Sequence, residues 1–175
     1  MSSPQPIRVL FVCLGNICRS PAAHAVANEL AWRRRAQHLR FDSAGTAAHH
    51  IADPPHPLSV AEGSARGFQV DHRARLVHPD DFAHFDLVIA MDRQIVEDLE
   101  RMRGGEEQRV GFYRTVEPHQ IQLLRRWDPF AMPGDEDVPD PWGKGPAAYV
   151  AMYDIIERTI PPLLDHLDWL VSESG

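Results

Sequence analysis

The sequence predicts a single-domain α/β fold built on a parallel, doubly wound sheet. Two continuous apolar runs of strand length, residues 7–12 and 85–91, are typical of strands covered on both faces. Segments of helical composition alternate with these and with shorter strand candidates, which favours a parallel sheet flanked by helices. The chain has 175 residues, enough for one sizeable core.

Bulk composition excludes several classes of protein. Apolar residues make up 43% and charged residues 25% of the chain, as in an ordinary soluble globular domain. The net charge of −7 argues against nucleic acid or an anionic membrane as a partner. No apolar targeting segment precedes the first strand, and the longest apolar run is too short to cross a bilayer. Cys13 and Cys18 are the only cysteines, which indicates no disulfide framework and fits a reducing cytoplasm.

The first predicted strand, 7–12, leads into a helix predicted over 22–36, a segment without glycine or proline. Its basic end, residues 33–35, is interpreted as solvent-facing cations that stabilise the helix dipole rather than as a nucleic-acid contact. Further strands are predicted at 40–44, 68–71 and 109–113, and further helices or turns at 58–66, 80–84, 93–103 and 147–170.

Capping and breaking signals shape the second half of the chain. Asp92 is a natural N-cap for the helix over 93–103, which Gly104 ends. Residues 128–145 are rich in Pro, Gly and Asp, and predict a loop. Pro161 and Pro162 fall inside the last helix and predict a kink or break near 159–161, because the residue before a proline disfavours helix.

The stretch after the first strand has the chemistry of an anion site. Gly15 and Asn16 permit left-handed backbone, so successive N–H groups can converge on one point. The helix that follows directs its positive N-terminal end toward the same point. Arg19 offers a planar fork that can hold two oxygens of a phosphate.

This spacing predicts a cysteine nucleophile inside an oxyanion cradle. Five residues separate Cys13 from Arg19, which lets the backbone wrap once around a tetrahedral oxyanion. The positive field favours the thiolate of Cys13, and the Ser20 hydroxyl can donate to that sulfur. A parallel sheet places this loop at its ligand-binding edge. The predicted phosphate-binding residues are Leu14, Gly15, Asn16, Ile17, Cys18, Arg19 and Ser20.

Two interpretations of Cys18 stay open. A small buried residue is the favoured one. A reversible disulfide with Cys13, which would protect the nucleophile from over-oxidation, is the second.

The leaving group of a phosphate ester needs a proton, and two Asp-Pro pairs in the late loop could supply it. Composition does not choose between Asp128 and Asp140, since either can be a turn residue before proline.

A proline-rich loop contains a separate group of possible zinc ligands, namely His49, His50, Asp53 and His56. Their spacing is irregular, so the favoured interpretation is that these side chains are solvated.

The loop 13–21 resembles the signature of the low-molecular-weight protein tyrosine phosphatases at every position. Residues 41–46, 72–75, 81–92 and 138–143 are similar to further segments of that family. The resemblance implies a three-layer α/β/α domain with a central four-stranded parallel sheet, of the phosphotyrosine phosphatase I type. It also implies a protein-tyrosine phosphatase that needs no cofactor and no metal.

The resemblance further implies a role for each matching residue. Cys13 becomes the nucleophile that forms a cysteinyl-phosphate, and Arg19 with the loop amides holds the phosphate. Asp140, and not Asp128, becomes the general acid and then the general base, so that Asp128→Asn is expected to do little. The implied supporting hydrogen-bond network consists of Asn16, Ser20, Ser43 and His72.

The sequence departs from the family at the rim of the site. His49 stands where relatives usually carry an aromatic residue, and Trp142 is followed by Gly143 instead of a second aromatic. His56-Pro57-Leu58 replaces the family's common Asp-Pro-Arg. The predicted substrate wall is therefore His49 and Trp142, with Trp142 stacking on a substrate ring.

Three alternatives use the same cradle. Protein-arginine phosphatases typically carry threonine where Ile17 stands, and the bulkier Ile17 suits an aromatic substrate. Arsenate reductases need further cysteines, which are absent after Cys18. A phosphotyrosine-binding module without activity would lack Cys13, Arg19 or Asp140, and all three are present.

The expected partner is a phosphotyrosine-containing protein, without nucleic acid or membrane, and the expected state is a monomer or weak dimer in the cytoplasm. We expect one phosphatase domain over residues 1–175, with flexible ends at 1–6 and 172–175.

Overall fold

The structure, a computed structural model, describes residues 5–104 and 119–174. Four parallel strands form one sheet in the order β2-β1-β3-β4, which confirms the predicted α/β fold and its four-stranded parallel sheet. Within these residues, no helix has the length and apolarity needed to cross a membrane. The strands are β1 Ile7–Cys13, β2 Leu39–Gly45, β3 Leu87–Ala90 and β4 Ile121–Leu123.

Helices connect the strands and cover both faces of the sheet. Helix α1 begins at Arg19, three residues before the predicted start, because Pro21 is tolerated in a first helical turn that has no intrahelical N–H bonds to lose. The predicted N-cap of α4 is confirmed, since the Asp92 carboxylate accepts from the Ile95 amide at 2.8 Å. The helices are α1 Arg19–Arg33, α2 Pro57–Ala65, α3 Asp81–His84, α4 Arg93–Arg103 and α5 Pro146–Glu173, with a 3-10 helix at Leu124–Trp127.

Successive residues of β1 point to opposite faces of the sheet, so each face has its own core. Val9 and Phe11 belong to the larger core, which α1 and α5 complete. Leu10 and Val12 belong to the smaller core, which α4 completes. All four side chains are fully buried. This arrangement explains the continuous apolar run at 7–12 and confirms the three-layer α/β/α architecture.

The strand predicted at 68–71 is wrong, and the last helix has no break at its prolines. Phe68 and Val70 are buried, but residues 68–71 form no strand, because their alternation reflects side-chain burial and not pairing with a neighbouring strand. Of the kink or break predicted near 159–161, the break is excluded, because helix α5 continues through Pro161 and Pro162. Its buried face includes neighbours of the prolines, and this packing outweighs the lost N–H bonds.

The sheet also contains a strand that the sequence did not predict. β4 has only three residues, which is too short for a periodic signal. The strand predicted at 109–113 lies outside the described residues. The predicted loop at 128–145 contains no helix or strand.

Parallel strands bring their carboxyl ends to one edge of the sheet, and this edge carries the site. Cys13 is the last residue of β1 and pairs with Gly45, the last residue of β2. Asp92 follows β3 by two residues. The loop after Cys13 therefore lies between the ends of two neighbouring strands, as expected for a doubly wound sheet.

Candidate active site

The loop between β1 and α1, residues 13–19, turns its carbonyl groups outward. The carbonyls of Cys13 and Leu14 accept from the amides of Thr46 and Ala47, at 3.1 and 2.9 Å. The Ile17 carbonyl accepts from the His56 amide at 2.8 Å. Outward carbonyls leave the neighbouring amides free to face inward, as the predicted anion-binding nest requires.

Asn16 has a positive φ of 56°, and its side chain holds that left-handed conformation in place. Its Oδ1 accepts from the Arg75 amide at 3.1 Å, and its Nδ2 donates to the hydroxyls of Ser20 and Ser43 at 2.8 and 3.0 Å. His72 Nε2 lies 2.9 Å from the same Oδ1. The structure thus brings together all four residues of the predicted supporting network.

Ser20 is placed to donate a hydrogen bond to the nucleophile candidate. Its Oγ lies 2.9 Å from Cys13 Sγ. The hydroxyl oxygen accepts from Asn16 Nδ2, and its one proton can go to this sulfur or to the Ala44 carbonyl oxygen, which lies 3.4 Å away. The Asn16 amide donates to the same sulfur at 3.3 Å. Cys13 Sγ therefore lies within hydrogen-bond reach of a backbone amide and a hydroxyl group.

Arg19 is buried, and its guanidinium is fixed from two sides. Its Nη1 donates to Asp92 Oδ2 at 2.6 Å and to the Val138 carbonyl at 3.0 Å. Burial by itself would lower the pKa of Arg19, but the negative charges of Cys13 and Asp92 raise it above its ordinary value. The cation is therefore oriented before any phosphate arrives.

Asp140 lies beside this cation, in the loop before α5. Its Oδ2 is 3.7 Å from Arg19 Nη2, and its Oδ1 accepts from the Trp142 amide at 3.1 Å. About half of the Asp140 side chain is exposed, so it can meet a substrate at the mouth of the site. The arrangement gives a carboxyl group that can exchange a proton with a bound ester oxygen.

The nest opens into a cavity of about 340 Å³. Both residues of the predicted substrate wall, His49 and Trp142, line it, and Trp142 is largely exposed. His50 also lines this cavity, although the sequence did not single it out for the wall. The wall thus combines one indole with two imidazoles.

Cys18 lines the same cavity but differs from Cys13 in its surroundings. Burial raises the pKa of the Cys18 thiol to about 11, and its Sγ lies 3.5 Å from the Tyr149 hydroxyl. Both cysteines are free thiols. The neutral thiol of Cys18 makes it a poor nucleophile compared with a thiolate.

Asp128 is not an exposed turn residue. Its carboxylate is buried and accepts from the Nε atoms of Arg125 and Arg158, both at 2.8 Å. It also accepts from the Phe130 amide at 2.9 Å. The expectation that Asp128→Asn does little therefore changes: the residue holds the loop together away from the cavity.

The possible zinc ligands of the 49–56 loop do not converge. His56 instead caps α2, with Nδ1 accepting from the Leu58 amide at 3.1 Å, and stacks on Tyr149. His50 pairs with Asp53 at 3.2 Å. Within residues 5–104 and 119–174, three potential ligands approach one another only at His24, Asp42 and His72.

Two residues that shape the site have roles that the sequence did not show. Asp92 was predicted only as a helix cap, and its contact with Arg19 joins positions 73 residues apart. A Cβ atom on Gly45 would lie 2.6 Å from the Leu14 carbonyl oxygen, so the loop requires a glycine there. A glycine that ends a predicted strand was the only available signal.

Comparisons with known proteins agree with this geometry. A sequence model of the family described as low molecular weight phosphotyrosine protein phosphatase matches residues 8–172. A putative low molecular weight protein-tyrosine-phosphatase of Synechocystis is 35% identical over 162 residues, which cover 92% of this chain and 96% of the relative. A crystal structure of an Entamoeba histolytica protein tyrosine phosphatase has a TM-score of 0.81 at 32% identity, and the match covers 93% and 97% of the two chains. A Drosophila arginine phosphatase has a TM-score of 0.81 at 29% identity, covering 92% and 98%.

Proposed function

Because the chain belongs to the low molecular weight phosphotyrosine protein phosphatase family, we propose that Cys13, Arg19 and Asp140 carry out the hydrolysis of phosphotyrosine in the cavity described above. The protein is an enzyme of the protein-tyrosine phosphatase type. The observation that carries the residue assignment is the 2.9 Å contact between Cys13 Sγ and Ser20 Oγ at the floor of an anion nest.

In the first step, the Cys13 thiolate attacks phosphorus and the bond from phosphorus to the tyrosine oxygen breaks. Asp140, in its protonated form, gives its proton to that departing oxygen. Arg19 and the loop amides stabilise the charge on the three non-bridging oxygens, as phosphoryl transfer requires. The products are the dephosphorylated tyrosine side chain of the substrate and a cysteinyl-phosphate.

In the second step, a water molecule attacks phosphorus and the bond from sulfur to phosphorus breaks. Asp140, now ionised, accepts the proton of that water. Sulfur leaves as a thiolate, which the Ser20 hydroxyl and the Asn16 amide stabilise through the contacts already present. Inorganic phosphate is released and the starting state returns.

The supporting network has a positioning role in this scheme. Asn16 needs its left-handed backbone to turn the loop amides inward, and its side chain bonds to Ser20, Ser43 and His72. Since each partner belongs to a different part of the chain, the network ties the loop to α1, to β2 and to the segment before α3. Preorganised donors of this kind need no rearrangement during the reaction.

A protein-arginine phosphatase is the second candidate, because the Drosophila arginine phosphatase is 29% identical and has the same fold. Ile17 lines the cavity and is the residue that bears on this choice. Its bulk suits the flat ring of phosphotyrosine, and Trp142 is available to stack on that ring.

The experiment compares phosphotyrosine and phosphoarginine peptides of the same sequence on the wild type, Cys13→Ser and Cys18→Ser. We expect hydrolysis of phosphotyrosine, loss of turnover in Cys13→Ser, and a much smaller loss in Cys18→Ser, which changes the other thiol of the same loop. Cys13→Ser turnover at the wild-type rate would overturn the assignment. A clear preference for phosphoarginine would establish the second candidate, and Ile17→Thr would then be expected to increase it.

We also propose a substrate class, a cellular compartment and an oligomeric state for the enzyme. A phosphotyrosine-containing protein is the expected substrate, and the net charge of −7 gives no general affinity for nucleic acid. The two free thiols suit a reducing cytoplasm. We expect residues 1–175 to act as one phosphatase domain, as a monomer or weak dimer.

A further inference from the structure

We propose that His24, Asp42 and His72 form a binding site for a divalent transition-metal ion such as Zn²⁺, beside the phosphate loop and separate from the catalytic cavity. One ligand atom from each residue lies within 4.8 Å of the other two. His24 is on α1, Asp42 is on β2, and His72 is in the segment between α2 and α3. None of the three lines the cavity that holds Cys13.

The donor set fits the metal. Two imidazoles and one carboxylate suit Zn²⁺ and its neighbours, and a water molecule would complete a four-coordinate site. With zinc–ligand distances of about 2.1 Å, tetrahedral ligands stand roughly 3.4 Å apart, so groups within 4.8 Å of one another need to close by up to about 1.4 Å. All three side chains are half-buried, so that an ion can reach them from solvent.

The hydrogen bonds around Asn16 fix the form of His72. The Arg75 amide can only donate, so the Asn16 atom that it contacts must be the acceptor oxygen Oδ1. His72 Nε2 lies 2.9 Å from that oxygen and must carry a proton to donate to it. In the neutral ring, Nδ1 is then the nitrogen with the lone pair, and it can bind a metal once the ring gives up its contact with the Ser43 backbone carbonyl. A metal-binding histidine commonly has this arrangement, with its second nitrogen donating to an oxygen.

The two histidine rings lie close to each other. The ring centroids are 5.5 Å apart with an angle of 77° between the planes. Two imidazoles therefore stand close together next to a carboxylate.

Binding has to exchange contacts that are already present. Asp42 Oδ2 pairs with Arg75 Nη2 at 3.0 Å, and Oδ1 accepts from the Ser43 amide at 2.8 Å. Arg75 keeps a second partner in Asp81, at 3.0 Å, if Asp42 turns toward a metal. Each histidine ring also contacts a backbone carbonyl, Phe41 for His24 and Ser43 for His72. We therefore expect a site of moderate affinity.

A metal ion bound at this site would affect the phosphate loop through His72 and Asn16. A metal on one nitrogen of His72 polarises the ring and strengthens the hydrogen bond from Nε2 to Asn16. Asn16 in turn holds Ser20 and the left-handed turn of the loop. We expect the bound ion to rigidify the loop and to stabilise the folded protein.

The test uses Cys13→Ser as its background, because the catalytic thiol could bind zinc on its own. Zn²⁺ is titrated by calorimetry, Co²⁺ by its visible absorption, and the melting temperature is followed as either metal is added. The same titrations are made on Cys13→Ser/His24→Ala, on Cys13→Ser/Asp42→Asn, and on Cys13→Ser/His78→Ala as a control. His78 is an exposed histidine outside the cluster.

We expect one ion per chain in the background variant and in the His78 control, with a melting temperature that rises with metal concentration. His24→Ala and Asp42→Asn should each weaken binding at least tenfold, because each removes a direct ligand. Asp42→Asn keeps the size of the side chain, so it still tests the proposal if the His24→Ala variant fails to fold. Absence of binding in the background variant, or unchanged binding in both ligand variants, would overturn the proposal. None of these readouts depends on phosphatase activity.

Discussion

Asp92 joins Arg19 to the start of a helix. Its Oδ2 accepts from Arg19 Nη1 at 2.6 Å, while its Oδ1 accepts from the Ile95 amide at 2.8 Å and caps α4. One carboxylate therefore both pairs with Arg19 and caps α4. The two tasks can be separated, because a serine can cap the helix but cannot neutralise the arginine. Arg19 depends on this contact, since it is 3% exposed and its charge needs a partner.

Replacement of Asp92 by serine or by alanine should separate the two tasks. Both variants remove the carboxylate from Arg19, and we expect both to lower kcat/KM by roughly tenfold to a hundredfold, because a misplaced phosphate ligand is costly. Only alanine also removes the helix cap, which should cost about 1 kcal/mol of further stability. The measurements are kcat/KM on an aryl phosphate and urea unfolding. Wild-type activity in Asp92→Ser would show that Arg19 does not need this anchor.

Asp140→Asn should affect substrates according to their leaving groups. A poor leaving group such as the tyrosine oxygen needs the proton, so its turnover should fall by roughly 10²–10⁴-fold, whereas an activated aryl phosphate should be much less affected. The measurement is kcat across aryl phosphates of graded leaving-group pKa. Glu136→Gln removes a carboxylate from the same loop and serves as the control. An equal loss for all leaving groups would remove the role of Asp140 as the acid.

Asp128→Asn should destabilise the protein and leave its sensitivity to the leaving group unchanged. The variant removes the carboxylate from Arg125, which is 4% exposed, so on the order of 3 kcal/mol of stability should be lost. Urea unfolding gives the stability, and the same series of aryl phosphates gives the sensitivity. A leaving-group dependence like that of Asp140→Asn would return Asp128 to the list of possible acids.

The same residue gives the protein an acid-dependent stability. Burial alone would raise the pKa of Asp128, but hydrogen bonds from Arg158, the Phe130 amide and Arg125 outweigh it and lower the pKa to about 2 from an ordinary value of 3.8. The carboxylate thus contributes about 2 kcal/mol above pH 3.8, and this contribution is lost as the pH falls toward 2. The stability difference between wild type and Asp128→Asn should shrink over that interval. A difference that does not change with pH would contradict this account.

Gly45→Ala should damage phosphate binding from outside the phosphate loop. The new Cβ would lie 2.6 Å from the Leu14 carbonyl oxygen and 3.1 Å from the Asn16 amide nitrogen, so the loop must shift. We expect kcat/KM to fall by roughly a hundredfold, with weaker inhibition by inorganic phosphate. Gly145→Ala is the control, because no atom lies within 4 Å of its added Cβ. Equal effects of the two substitutions on phosphate inhibition would contradict the steric explanation.

Local sequence signals were enough to predict most of the fold and the residues at the floor of the site. The apolar run of β1 predicted a doubly covered strand, and Asp92 and Gly104 marked both ends of α4. The strand predicted at 68–71 and the break expected in α5 were both absent for the same reason. Burial of Phe68 and Val70 resembled a strand, and the packed face of α5 overcame Pro161 and Pro162, so tertiary packing overrode local preference in both places.

The short-range chemistry of the site could be determined from the sequence by itself. Cys13, Arg19 and Ser20 lie within eight residues, and a single turn of backbone is enough to bring them around one anion. The order of residue types therefore already implies their geometry. The rim of the site was harder to predict from the sequence, because the fold of the loop is what brings His50 to the cavity.

Only the tertiary structure decided which distant residues contact Cys13, Arg19 and Ser20 or the loop that holds them. Asp92 reaches Arg19 because parallel strands end at one edge of the sheet, and Asp128 is removed from the site by two arginines that bury its charge. His24, Asp42 and His72 meet because α1 packs against β2 and the segment before α3 returns to the same place. Contacts across such separations depend on how the elements pack, and local periodicity carries no information about them.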